Sequence, residues 1–176
     1  MPKLTLRTVV SDPVLFLATG FGFGASPKAP GTAGSIWGLP LAWAIGQVPQ
    51  VGPLPAVIVQ VALIVAICAA GVPLCSSASR RLGGQKDPGA IVFDEIASLP
   101  ITFFLIPWHE YLDGAGLGVV LAAGFLLHRV FDITKPPPCR RLERLDGGLG
   151  IMADDWTAGI YSCLALHALL WIWQIT

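Results

Sequence analysis

The sequence predicts an all-α fold: a compact, multihelical, membrane-embedded bundle of short or broken helices, with its motif loops on the cytoplasmic side. Three observations predict it. Hydrophobic residues make up 54% of the 176 and charged residues 12%, with mean hydropathy +0.69, about half the charge of an ordinary soluble chain. No charged residue occurs from Ala33 to Ser79. Acidic residues gather where the chain turns polar: Asp87, Asp94 and Glu95 in one block, Asp132 in a second, Asp154 and Asp155 in a third. That distribution points to a hydrophilic reaction centre at one edge of the bundle.

The elements follow in order. No small-residue cleavage site follows an apolar stretch in MPKLTLRTVVSDP, so the N-terminus is expected to be retained and cytoplasmic. Gly34 to Gly46 is apolar but short, and Pro40 should kink or interrupt it. Leu54 to Cys75, interrupted only by Gln60, is about 22 residues and long enough to cross a hydrocarbon layer of roughly 30 Å. Ile96–Trp108 and Gly114–Leu127 flank the loop His109–Asp113 and read as a helical hairpin with short arms. Trp156–Ile175 carries no charge, and Trp171 and Trp173 are placed as interface anchors.

Positive charge lies between these runs, at Arg80, Arg81 and Lys86, then at Arg129, Lys135, Arg140, Arg141 and Arg144. The positive-inside rule puts both blocks in the cytoplasm, with Lys3, Arg7 and Lys28. Two hairpins and a terminal span satisfy that, so all the motif loops should meet on one side. The length and the lack of a polar linker fit one domain over residues 1–176. A formal net charge of zero argues against a nucleic-acid partner. Cys68, Cys75, Cys139 and Cys163 show no CxxC spacing and read as reduced packing residues.

Four segments carry chemistry. Gly20 to Thr32 (GFGFGASPKAPGT) has glycines that let backbone N–H groups turn toward an anion, with Lys28 as a point charge and Ser26 or Thr32 as a hydroxyl donor or helix cap. Lys86 to Glu95 (KDPGAIVFDE) sets carboxylates directly before an apolar helix. Hard oxygen ligands there suit Mg²⁺, and capping by Asp94 is the competing use. In His128 to Pro138 (HRVFDITKPPP), Arg129, Asp132 and Lys135 are three apart and neighbours on a helix, able to meet phosphate and metal; a plain surface ion pair is the alternative. Asp146 to Trp156 (DGGLGIMADDW) ends in adjacent carboxylates that repel unless a cation or proton lies between them, or unless they cap the terminal helix.

These segments together resemble the phosphatidylglycerophosphatase A family in order and spacing, over about Phe16 to Tyr161. The resemblance rests on Gly22-Phe23-Gly24 through Ser26 to Thr32, Asp87-Pro88-Gly89 with Asp94-Glu95, Arg129 with Asp132 and Lys135-Pro136, and Gly147 to Met152 followed by Asp154-Asp155. Ser98, His128 and Glu143 depart from the usual pattern. The resemblance implies an all-helical, multi-pass protein of the bacterial inner membrane with its active site facing the cytoplasm. It also implies Mg²⁺-dependent removal of the terminal phosphate from phosphatidylglycerophosphate.

On that reading Asp94, Glu95, Asp154 and Asp155 are metal ligands, and Asp132 is a further ligand or the base that deprotonates water. Lys28, Arg129 and Lys135 neutralise the transferring phosphoryl group, and Thr32 and Asp87 join the substrate-binding set. No DxDxT signature occurs, which disfavours an aspartyl-phosphate intermediate. The competing reading is a small transporter or ion-conducting protein with Asp94, Asp132 and Asp155 lining a cation path at bilayer depth. Assembly into a homo-oligomer is left open.

Overall fold

The computed structural model describes residues 5–48, 53–112 and 116–175, and all regular structure among them is helical. Lys3, Asp113 and Gly114, which entered the charge and hairpin readings, lie outside those residues.

Two short helices open the chain, α1 (Leu6–Ser11) and α2 (Pro13–Ala18). Thr5 caps the first, and Asp12 caps the second by accepting from Val14 N at 2.9 Å. Pro13 takes the first helical position, where a missing N–H leaves nothing unsatisfied. Asp12 also pairs with Arg81, which pins this start to the end of a later helix.

The glycine-rich segment then folds on itself. Gly20, Phe21 and Gly22 all have positive φ, and the amides of Phe23 to Ser26 donate to carbonyls of Thr19 to Phe23 within the turn. Gly22 N donates to Thr19 Oγ1. These N–H groups are therefore satisfied internally, and the expected anion-facing nest is corrected to a packing turn. A side chain at Gly24 would strike the Ala90 carbonyl, and Val92 N donates to Ala18 O at 2.9 Å. The turn thus buttresses the acidic segment from behind.

The apolar Gly34–Gly46 segment divides into α3 (Pro30–Ser35) and α4 (Gly38–Gly46). The break at Ile36–Trp37 lies where the Pro40 ring would meet the carbonyl four residues earlier, as expected. α5 (Pro53–Arg81) contains the predicted span and extends beyond it. α6 (Phe93–Thr102) is ten residues long, roughly 15 Å. The expectation of a helical arm reaching Trp108 is corrected: Leu105 has positive φ, Pro107 disfavours helix at Ile106, and the chain runs irregularly to a 3₁₀ turn at Trp108–Glu110. α7 (Gly116–Thr134) returns, α8 (Cys139–Leu142) forms one turn, and α9 (Gly148–Ile175) closes the chain.

Among the described residues three helices are long and apolar enough to cross a membrane, within α5, α7 and α9. They present apolar side chains outward, such as Val65, Leu126 and Leu164. Trp171 and Trp173 are exposed near the end of α9, the place expected of interface anchors. α6 is the buried centre, packed against α4, α5 and α9.

In a bilayer, helices associate through close packing more than through exclusion of water, so small residues matter at the contacts. Gly38 lets α4 lie directly on Leu99, where a Cβ would be 2.6 Å from Leu99 Cδ1. All four cysteines are free, and Cys68, Cys75 and Cys139 are buried, as packing residues should be.

Candidate active site

The first turn of α6, the last turns of α7 and the second turn of α9 converge on one cleft of about 310 Å³. Asp87, Asp94, Glu95, Asp132, Asp154 and Asp155 line it, with Arg129 and Lys135. Six carboxylates face two cations there. Asp94, Glu95, Asp154 and Asp155 are each 9% exposed or less, a degree of burial that charged groups reach only when compensated.

Neither acidic pair is a helix cap. Asp94 and Glu95 sit inside the first turn of α6 behind Val92, which makes no side-chain capping bond. The Asp154–Asp155 pair lies within α9, because that helix begins at Gly148 and not after the pair. Successive helical residues point about 100° apart, yet both carboxylates line the one cleft.

The cations hold the cleft together. Arg129 Nη1 lies 2.7 Å from Glu95 Oε2 and 2.7 Å from Asp132 Oδ2, and only the second contact has hydrogen-bond alignment. The expected i, i+3 pair is thus present. Lys135 departs from the expectation that it shares a helix face with them. Pro136 disfavours helix at the residue before it, and Lys135 takes φ +44° just past Thr134. It therefore swings to α9, with Nζ 2.7 Å from Asp154 Oδ2 and 3.2 Å from Glu143 Oε2.

Burial, then the charges of Glu95, Asp87 and Asp154, hold the Asp94 carboxyl well above the usual carboxylate range. Burial also raises Glu95, with Arg129 opposing, and raises Asp87, with Lys135 opposing. Burial lowers Lys135, but Asp154 and Glu143 outweigh it and the ammonium is held more tightly protonated than usual.

Among the described residues no group of three His, Cys, Asp or Glu side chains is arranged to hold a metal ion. Arg129 and Lys135 occupy the oxygens of Glu95, Asp132 and Asp154 that such a group would need. The donor chemistry nonetheless fits a hard divalent cation. Asp94 Oδ1 and Asp154 Oδ1 are buried with no hydrogen-bond partner, and the carboxylates outnumber the cations.

Lys28 and Thr32 are not brought into the lining of this cleft. Lys28 is exposed, its amide and carbonyl tied to Ser26 Oγ. The neighbouring Gly31 contributes instead, since a Cβ there would collide with Glu95 Oε1. Sequence reasoning missed this contact and the role of Glu143, whose position after three prolines had no readable geometry. Ser98 and His128, noted only as departures from the family pattern, prove to be partners: Ser98 Oγ lies 2.8 Å from His128 Nε2 and donates to Glu95 O at 3.1 Å. Both partners are fully buried, so this pair ties α6 to α7 beside Arg129.

Comparison with known proteins decides the lineage, because the profile of the phosphatidylglycerophosphatase A family matches residues 16–170. The chain belongs to that family. It is 35% identical over 170 residues to phosphatidylglycerophosphatase A of Escherichia coli K12, covering 96% of this chain and 90% of the relative. It is 36% identical over 164 residues to phosphatidylglycerophosphatase A of Haemophilus influenzae Rd, covering 90% and 89%. A Bacteroides thetaiotaomicron protein with the provisional name phosphatidylinositol-3-phosphatase is 34% identical over 165 residues, covering 91% and 94%. No solved structure matches the chain. Membership in the phosphatidylglycerophosphatase A family identifies an enzyme, a lipid phosphatase, and favours that reading over ion conduction. The three membrane-length helices and the bacterial relatives fit a bacterial inner-membrane protein.

Proposed function

We propose that the protein hydrolyses the terminal phosphomonoester of phosphatidylglycerophosphate, giving phosphatidylglycerol and inorganic phosphate, at the cytoplasmic rim of the bacterial inner membrane with Mg²⁺ as cofactor. The observation that carries this is the single cleft in which carboxylates from the ends of three helices meet Arg129 and Lys135. Family membership supports the substrate. The carboxylates gather toward the ends of α6, α7 and α9 rather than along the length of one helix, which suits an enzyme working on a headgroup.

Asp94, Glu95, Asp154 and Asp155 would hold the metal, with Asp132 as a further ligand or as the acceptor of a proton from water. Bound there, Mg²⁺ supplies Lewis-acid neutralisation of the phosphoryl oxygens and lowers the pKa of water. Arg129 and Lys135, which rest on carboxylates in the free protein, turn to the phosphoryl oxygens when substrate arrives. A water oxygen bonds to phosphorus as the bond to the glycerol oxygen breaks, and that oxygen takes up a proton. Lys28 and Thr32 lie outside the cleft lining.

The test is conversion of phosphatidylglycerophosphate in vesicles by the purified protein, following phosphatidylglycerol and inorganic phosphate together. Stoichiometric appearance of both is expected. A phosphate-free outcome with Mg²⁺ present would sink the reading.

A further inference from the structure

Beside the acidic cleft lies a second cavity of opposite charge. It measures about 320 Å³ and is lined by Lys86, Ile133, Lys135, Arg140, Glu143 and Arg144. Three stretches build it: the polar turn before α6, the end of α7, and α8 with the residues after it. Lys135 and Ile133 line both cavities, so the two share a wall.

Four cations face one carboxylate here, and that carboxylate, Glu143, is already paired with Lys135. Two of the others are oriented by neutral partners. Lys86 Nζ donates to Arg144 O at 3.0 Å, and Arg140 Nη2 to Thr134 O at 3.3 Å. These bonds fix position without cancelling charge. The Arg144 guanidinium has no ion-pair partner among the described residues. A concave set in which Lys86, Arg140 and Arg144 have no carboxylate partner among the described residues, two of them held by backbone carbonyls, matches a phosphate-type anion.

The proposed substrate carries two phosphates joined by one glycerol, and two adjoining cavities share Lys135. We propose that the basic cavity holds the phosphodiester that remains on the lipid while the terminal phosphate occupies the acidic cleft. Arg140 and Arg144 then set specificity for lipids bearing two phosphates over lipids bearing one. This inference rests on the phosphatase reading above. Ile133, 70% exposed at the shared wall, continues the exposed apolar row of Leu126 and Val130 on α7, along which a diacylglycerol body would reach in.

The experiment compares kcat/KM on phosphatidylglycerophosphate and on phosphatidic acid, in vesicles of neutral phosphatidylcholine, for wild type, Arg140→Gln, Arg144→Gln and Arg144→Lys. Both arginines are exposed, so folding should survive. Each glutamine variant should lower the ratio of the two kcat/KM values about tenfold, mainly through KM, the loss of one charge-assisted bond. Arg144→Lys should restore most of it. An equal fall on both substrates would overturn the proposal, as would an effect that appears only when anionic lipid is added to the vesicles. Free phosphate is separated by product inhibition: a changed inhibition constant with an unchanged ratio would assign the cavity to departing phosphate and overturn the subsite.

Vesicle binding by Asp94→Asn separates the two readings. A binding preference for the two-phosphate lipid that Arg144→Gln abolishes supports the subsite even if wild type releases no phosphate, which would defeat only the hydrolytic reading. No such preference defeats the subsite.

Discussion

The Lys135 ammonium donates to Asp154 Oδ2 at 2.7 Å, joining the residue just past α7 to the second turn of α9. The same nitrogen lies 3.2 Å from Glu143 Oε2, so one cation balances carboxylates on both sides of the shared wall. Lys135→Met should leave the buried Asp154 without its partner. The expected loss is about 1–2 kcal/mol of stability, below that of a fully buried pair because Lys135 is partly exposed. Denaturant unfolding in detergent measures it, and phosphate release should fall at the same time.

Asp94 is the opposite case, a buried carboxylate near other carboxylates. Asp94→Asn should raise the stability of the metal-free protein by about 1 kcal/mol and lower phosphate release by two or more orders of magnitude. Thermal unfolding in chelator and an activity assay, made on one preparation, check both halves. A variant that is both less stable and fully active would contradict the assignment.

The pH dependence follows from the same group. Asp94 is raised well above the usual carboxylate range, and Glu95 and Asp87 are raised as well, so the folded protein binds these protons more tightly than the unfolded chain. Their contribution to stability is fully present below the unfolded carboxylate pKa of about 4 and is lost as pH rises through the folded values. The metal-free protein should therefore lose stability as pH climbs from about 4, and Asp94→Asn should flatten that slope. Mg²⁺ competes with the same protons, so its affinity should increase with pH. Unfolding temperatures from pH 4 to 8, with and without Mg²⁺, measure both trends.

Backbone contacts position α9 as firmly as charge does. A side chain at Gly148 would run into Val72 O and lie 2.7 Å from Ser76 N, and Gly148 N donates to Ser76 Oγ at 2.6 Å. Gly148→Ala should push α9 away from α5, carrying Asp154 and Asp155 with it. A loss of about 2–3 kcal/mol and of most activity is expected. Gly118→Ala, with nothing within 4 Å of the added carbon, should be neutral or slightly stabilising and serves as the control.

Much of this arrangement was legible in the residues. Uncharged length marked α5, and the recurrence of acids at apolar boundaries marked the cleft before any geometry was known. The i, i+3 spacing of Arg129 and Asp132 correctly paired them. What escaped were features decided by tertiary packing and local backbone. Nothing in the spacing said that α9 starts at Gly148, because glycines near a helix start read equally well as a loop. Lys135 left its helix face because Pro136 follows it, and its new partners are far along the chain. The glycine turn looked anion-facing until its amides found partners of their own, and Lys28 and Thr32 fell outside the cleft with it.

The central claim is that the carboxylates of α6, α7 and α9 act as one divalent-cation-dependent phosphatase centre. Inorganic phosphate release from phosphatidylglycerophosphate, titrated with Mg²⁺ after chelator treatment, tests it most directly in wild type, Asp94→Asn and Asp155→Asn. The account predicts negligible wild-type release without Mg²⁺, saturable recovery with it, and losses of two or more orders of magnitude in both variants. Full wild-type turnover in chelator, or either variant at wild-type rate, would contradict it.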